Sequence, residues 1–303
     1  MNISRASIAA RVRASKGRYL LAPALVLALI ASCGSKQPDQ PTDPAIPSKT
    51  PAKVSDFDAN RAFNALKKIV EFGPRPAGSD ALKKSRAYIE SELKSYGLQV
   101  VEDTLDGDTP HGKIPMVNVI AELPGEKTDI VLITGHYDTL PMPGFVGAND
   151  GGSSAAAVLE TARVLSKTKP EYTLWFVFFD GEEAIVDWSA DNGTDNTYGS
   201  RHLVQKLKAD GDFSKVRAMI LYDMIGDKKL DLVEDDNSTP WLVDLVWNTA
   251  SKLNYGRYFL GNQTEMLDDH IPWRDAGIPV VDLIDFDYGP DNSYWHTRED
   301  TLD

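Results

Sequence analysis

Five short segments of this 303-residue chain carry side chains suited to metal and proton chemistry. They are Gly135-His136-Tyr137-Asp138, Gly147 to Gly152 with Asp150 inside it, Phe179-Asp180-Gly181-Glu182-Glu183, Tyr222-Asp223, and Tyr294-Trp295-His296-Thr297. Imidazole and carboxylate groups are zinc donors, and a catalytic zinc takes about three protein ligands while one position stays open. Taken singly, an acidic residue after a strand reads as a helix cap or a solvated carboxylate, and Asp150 before a small-residue helix is the plainest case. Glu182-Glu183 is harder to read that way. Adjacent carboxylates aimed into one cleft repel, and a cation or a shared proton makes them tolerable. A metal together with a general base supplies both.

These side chains need elements that gather them. Helical periodicity begins after Ser55, breaks at Pro74 and Pro76, and resumes from Ser79 to Tyr96. β-like runs follow at Gln99–Leu105, Met116–Leu123, Asp129–Ile133, Tyr172–Phe179, Ala218–Tyr222 and Val280–Ile284. Helical stretches lie between them at Ser153–Leu165, Ser200–Ala209 and Thr239–Lys252. Alternating helices and nearly continuous apolar strands predict a mixed, mostly parallel α/β sheet covered on both faces in a single domain. His136, Asp138, Glu182, Glu183 and Asp223 fall just beyond the carboxyl ends of these strands, the edge where open α/β sheets build their sites.

In that order, His-x-Asp, Asp-Gly, Glu-Glu, Asp and His resemble the zinc exopeptidase superfamily from about Ala62 to the last residue. By that resemblance Asp150, Glu183 and His296 match zinc ligands and Glu182 the catalytic base. His136 and Asp223 match the ligands of a second zinc in the aminopeptidase branch, with Asp138 orienting His136 from behind. A narrower resemblance is to glutaminyl cyclases. It is carried by Phe178 to Ala184, Trp188-Ser189, Tyr198 to Leu203, Asp268-Asp269-His270-Ile271-Pro272, Trp295-His296-Thr297 and Asp300. That branch implies one zinc, a pocket shaped by Trp188 and Trp295, and an acidic network of Glu182, Asp223 and Asp269. The residues alone leave other readings: Trp188 as core packing, Asp269 as cap of a short helix over Asp268–Ala276, His270 as a hydrogen-bonded structural histidine, and Arg201 as an ion-pair donor.

The chain's two ends differ from its middle. Residues 1–32 hold five basic and no acidic side chains and an apolar run from Tyr19 to Ala31, which reads as an export signal. Ile30-Ala31-Ser32-Cys33 resembles a bacterial lipobox, implying lipid on Cys33 and an enzyme anchored in the cell envelope facing the periplasm. Residues 33–54, rich in Pro, Ser and Thr, form a tether, and 55–303 the catalytic domain. At the other end the sequence stops at Asp303, where relatives are expected to continue into a further helix. Cleavage takes the formal charge from −13 to −18, which argues against a phosphate-binding surface and so against nucleic acid as a partner. With one cysteine, the exported domain has no internal disulfide to rely on.

The expected enzyme is a monomer acting on peptide N-termini. The cyclase resemblance implies conversion of an N-terminal glutamine to pyroglutamate with release of ammonia. The alternative is a two-zinc aminopeptidase that hydrolyses the first peptide bond. A binding protein with a relict site would lack a ligand or the base, and neither is missing.

Overall fold

The computed structural model describes Lys53 and residues 56–303. The expected export signal, Cys33 and all of the tether but Lys53 lie outside them. The elements are α1 (Ala59–Val70), α2 (Asp80–Ser95), β1 (Gln99–Thr109), β2 (Gly112–Leu123), β3 (Lys127–His136), α3 (Gly152–Leu165), β4 (Tyr172–Phe179), α4 (Ala190–Gly193), α5 (Tyr198–Asp210), β5 (Val216–Asp223), β6 (Leu232–Asp235), α6 (Pro240–Lys252), β7 (Phe259–Thr264), α7 (Ile271–Asp275) and β8 (Val280–Ile284). Local chemistry sets the first boundaries. Asp58 accepts from the Asn60 and Arg61 amides to start α1, and Ser79 accepts from the Leu82 amide to start α2.

β4 shows why the sheet is covered twice. Successive strand residues point to opposite faces. Phe176 and Phe178 pack with Ile69, Ile89, Leu93 and Val158 of α1, α2 and α3, while Val177 and Phe179 pack with Leu203, Leu207 and Trp273 of α5 and α7. A further cluster joins Leu242 and Val243 of α6 to Val281 and Leu283 of β8. The sheet order is β1-β2-β4-β3-β5-β8. β1 and β2 form a hairpin, β2 meets β4 antiparallel, and β4, β3, β5 and β8 run parallel. This is the mixed, mostly parallel α/β architecture expected.

Parallel register levels the carboxyl ends. His136 closes β3 opposite Phe179, the last residue of β4, and Asp223 closes β5 opposite Ile284, the last of β8. α3 lies close against this edge because its first turns are small: a Cβ on Gly135 would meet the Ser154 Cβ at 2.7 Å.

Two features depart from the sequence-based expectation. β6 and β7 pair as a separate two-stranded parallel sheet that no periodicity announced, since Phe259–Thr264 is half exposed and polar at its centre. The short helix expected over Asp268–Ala276 is only Ile271–Asp275 and starts after His270, so Asp269 does not cap it. Among the described residues no helix is long and apolar enough to cross a membrane.

Candidate metal centre

Asp150 lies at the middle of the site. It lies two residues before α3, whose cap is Gly151 with no side-chain hydrogen bond, so the Asp150 carboxylate is not spent on capping. Gly151 stands at φ 76°, and a Cβ there would meet the Asp138 carbonyl oxygen at 2.4 Å. Only glycine lets this turn come so close. Asp300 accepts from the backbone amides of Asn149 and Asp150 at 2.7 and 3.0 Å, aiming the Asp150 side chain inward.

Two groups of donors meet at Asp150. On one side His296 Nε2 lies 3.3 Å from Asp150 Oδ2 and 3.2 Å from Glu183 Oε2. On the other, His136 Nε2 lies 3.2 Å from Asp150 Oδ1 and 3.2 Å from Asp223 Oδ1. In each trio the candidate ligand atoms lie within 4.8 Å of one another. Asp150 Oδ2 and Glu183 Oε2 are buried without a hydrogen-bond partner. Buried polar atoms are ordinarily paired, and unpaired oxygens converging with imidazole nitrogen form the donor set a borderline divalent cation such as zinc prefers. The residues present therefore fit a metal.

Backbone geometry supports the convergence. His296 is held at φ 53°, a left-handed conformation that a non-glycine residue adopts at a cost and that recurs at functional sites. Trp295 stacks on its ring at 4.0 Å between centroids, with Phe286 against the indole edge. Asp138 does more than the sequence suggested. Its Oδ1 is 3.5 Å from His136 Nδ1, and its two oxygens also accept from the amides of Glu182 and Glu183 at 3.2 and 3.3 Å.

The electrostatics follow from burial and crowding. Burial, with Asp150 beside it, pushes the Glu183 carboxyl up to about 7. His296 is pulled down by burial, but Glu183 and Asp150 outweigh that and carry it up to about 10. His136 is raised well above its ordinary value against the same pull, by Glu182, Asp138, Asp150 and Asp223. Asp150 is held below the usual carboxylate range because its two histidine partners overcome burial. Glu182 is pushed well up, first by burial and then by Asp268, Glu183 and Asp269, although His136 draws it back.

Beside this centre is a cleft of about 430 Å³ lined by Trp188, Asn196, Arg201, Leu267, Asp268 and Ile271 among others. Trp188 is thus a wall residue and not core packing. Asp268, which the sequence reading passed over in favour of its neighbour, lines this cleft; Asp269 is fully buried, with both carboxylate oxygens unpartnered. Arg201 donates to the carbonyls of Asn196 and Thr194 instead of forming the ion pair expected of it. Arg75 was also missed. It is fully buried and bonds the carbonyls of Tyr137, Val146 and Gly147, bracketing the loop that leads to Asp150. Its isolation between Pro74 and Pro76 was the one available signal, an arginine where the chain cannot be helical.

An open, mostly parallel α/β sheet with paired histidine and carboxylate donors at its carboxyl edge defines a zinc exopeptidase-like fold whose donors fit a metal. Residues 118–303 match peptidase family M28, and the chain belongs to that family. It is 31% identical to the glutaminyl-peptide cyclotransferase of Gloydius blomhoffii, over 82% of this chain and 76% of that one. Among solved structures it is similar to the glutaminyl cyclase of an Acidobacteriales bacterium, with 39% identity, a TM-score of 0.78 and coverage of 86% and 91%. It is also similar to a Zn-dependent exopeptidase from Parabacteroides distasonis, with 29% identity, a TM-score of 0.72 and coverage of 82% and 92%.

Proposed function

We propose that this chain is a zinc-dependent glutaminyl-peptide cyclotransferase that closes N-terminal glutamine to pyroglutamate and releases ammonia. The observation that carries the reading is the buried Glu182 carboxylate, 3.7 Å from His136 of the donor cluster, together with a tryptophan-walled cleft that Asp268 lines. The similarity to glutaminyl cyclases, which spans most of the chain, supports it.

Asp150, Glu183 and His296 would hold the zinc. When bound, the ion would polarise the γ-carbonyl of the glutamine and stabilise negative charge developing on its oxygen. The peptide's own α-amine is the nucleophile: its nitrogen forms a bond to the γ-carbon, and the bond from that carbon to the amide nitrogen breaks. Glu182 accepts a proton from the attacking amine and returns it to the departing nitrogen, which leaves as ammonia. A carboxylate in water is a weak base and holds almost no proton near neutral pH, so the burial that raises Glu182 suits it both to take the proton and to hold it for return. Trp188, Leu267 and Asp268 hold the glutamine folded back and keep competing water out, which supplies the proximity that an intramolecular attack needs. Trp295 fixes the ring plane of His296 by stacking.

A second reading rests on the trio of His136, Asp150 and Asp223, which fits a second ion and with it an aminopeptidase. Product identity by mass separates the two. Incubated with a glutaminyl peptide, the cyclotransferase removes one ammonia and leaves the chain length unchanged. Hydrolysis adds water and shortens the peptide, and free amino acids from several peptides without accelerated pyroglutamate formation would decide for the aminopeptidase.

A further inference from the structure

The cleft wall bearing Leu267 and Asp268 belongs to no strand or helix, yet it must stay in place opposite Trp188. Both of its ends close on one buried carboxylate. One oxygen of Asp235, at the end of β6, accepts from the Met266 amide at 2.9 Å and the Asn237 amide at 3.1 Å. Its other oxygen accepts from the Ser238 hydroxyl at 2.8 Å and lies 3.2 Å from His270 Nε2. Asn237 adds a bond from its side-chain amide to the Met266 carbonyl at 2.6 Å. Within that bracket the Asp269 carbonyl accepts from Ser200, whose hydroxyl also accepts from Trp273.

His270 is fully buried, and its remaining ring nitrogen faces Asp282 Oδ2 of β8 at 3.7 Å. The two carboxylates face opposite nitrogens at these distances without forming hydrogen bonds to the ring, and one donor atom from each of Asp235, His270 and Asp282 lies within 4.8 Å of the others. The start of the wall is hydrogen-bonded to β6 through the Met266 amide on Asp235, and its end rests against the same carboxylate at His270. Asp235 and His270 line no part of the cleft.

We propose that Asp235 and His270 are positioning residues that close the Met266–His270 segment at both ends and so hold Leu267 and Asp268 against the substrate. This rests on the proposed reading of Asp268 as part of the reacting cleft. A wall displaced by a fraction of an ångström disturbs a reaction that depends on a folded-back pose.

The test is a double-mutant cycle on glutaminyl-peptide turnover with Asp235→Asn, Asp268→Asn and the pair, alongside zinc content and amide hydrogen exchange. Asp235→Asn keeps the side chain's shape but places an amide where the carboxylate met His270 or the backbone. We expect kcat/KM to fall about tenfold with zinc content unchanged and faster exchange confined to residues 266–270. The pair is expected to be no slower than Asp268→Asn alone, because the first residue acts through the second. His270→Gln supplies a second, independent cycle with the same expectation. Additive losses would overturn the proposal, as would an ion lost from Asp235→Asn, which would instead assign a metal to Asp235, His270 and Asp282. Failure of both variants to fold also counts against it, since a local bracket leaves the rest of the fold standing. Full turnover by Asp268→Asn would be a different failure, that of the cleft reading itself.

Discussion

Glu182 and Glu183 are adjacent in the chain and meet different partners. Gly181, at φ 68°, allows the chain to leave β4 sharply, and Asp138 takes both glutamate amides, which points the two side chains to different partners. Glu183 accepts from the Leu140 amide with one oxygen and faces His296 with the other, whereas Glu182 lies 3.7 Å from His136 and is raised first by burial and then by Asp268, Glu183 and Asp269. Exchanging each for glutamine separates the roles. Glu182→Gln is expected to keep its zinc and lose about 10²-fold or more in turnover. Glu183→Gln removes a ligand charge and is expected to lose metal, measured by elemental analysis of the same preparations. Near-full activity in Glu182→Gln would remove it as the base. Residue types and order made this pair legible from sequence alone. The choice between Asp268 and Asp269 was not legible, because it depends on the backbone direction just before α7, where neither strand nor helix periodicity dictates which neighbour faces the cleft.

The elements deliver these side chains through strand ends, and the parallel strands β3, β4, β5 and β8 were readable because they are apolar on both faces. β6 and β7 were not, being short and partly exposed, and through Asp235 they tie down the segment that forms the cleft wall. The loop from Tyr137 to Asp150 is held by a residue equally silent in the sequence. Arg75 spends its guanidinium on the carbonyls of Tyr137, Val146 and Gly147, and its own amide donates to the Thr139 hydroxyl. Its partners lie 62 to 72 residues away, a separation that no local pattern records. Lysine keeps the charge but cannot reach three carbonyls with one ammonium. Arg75→Lys is therefore expected to cost about 3 kcal/mol, with buried acceptors left unpaired, and to weaken zinc retention by loosening the approach to Asp150. A urea midpoint that falls at unchanged slope, together with faster zinc loss to a chelator, would bear this out; unchanged values in both would refute it.

At the scale of the whole molecule, folding gathers more negative charge at one edge than its histidines can balance, and this fixes the sign of the pH dependence. Burial raises Asp180, Asp268, Asp269 and Asp282 well above the usual carboxylate range, Asp300 to about 6 and Glu183 to about 7. His136 and His296 are raised as well, the latter to about 10, while Asp150 and Asp235 are lowered and act in the opposite sense. A group whose folded value lies above its unfolded one contributes stability that is present below the unfolded value and lost as pH rises through the folded one. For Asp300 and Glu183 that window runs upward from the ordinary carboxylate range to about 6 and about 7, and for His296 it extends to about 10. Metal-free protein is therefore expected to lose stability steadily from mildly acidic to alkaline pH. Each net proton taken up on folding is worth about 1.4 kcal/mol per pH unit, or roughly 2–4 °C in Tm for a chain of this size. Zinc displaces protons from the same donors, so its stabilisation should grow with pH and flatten the curve of the loaded protein. Melting curves of chelator-treated and zinc-loaded protein across this range would show the two diverging as pH rises. A metal-free Tm that climbs with pH would mean that the buried carboxylates are already ionised and paired in the folded chain, and the assignment of Asp150, Glu183 and His296 as an electrostatic trap for a cation would lose its basis.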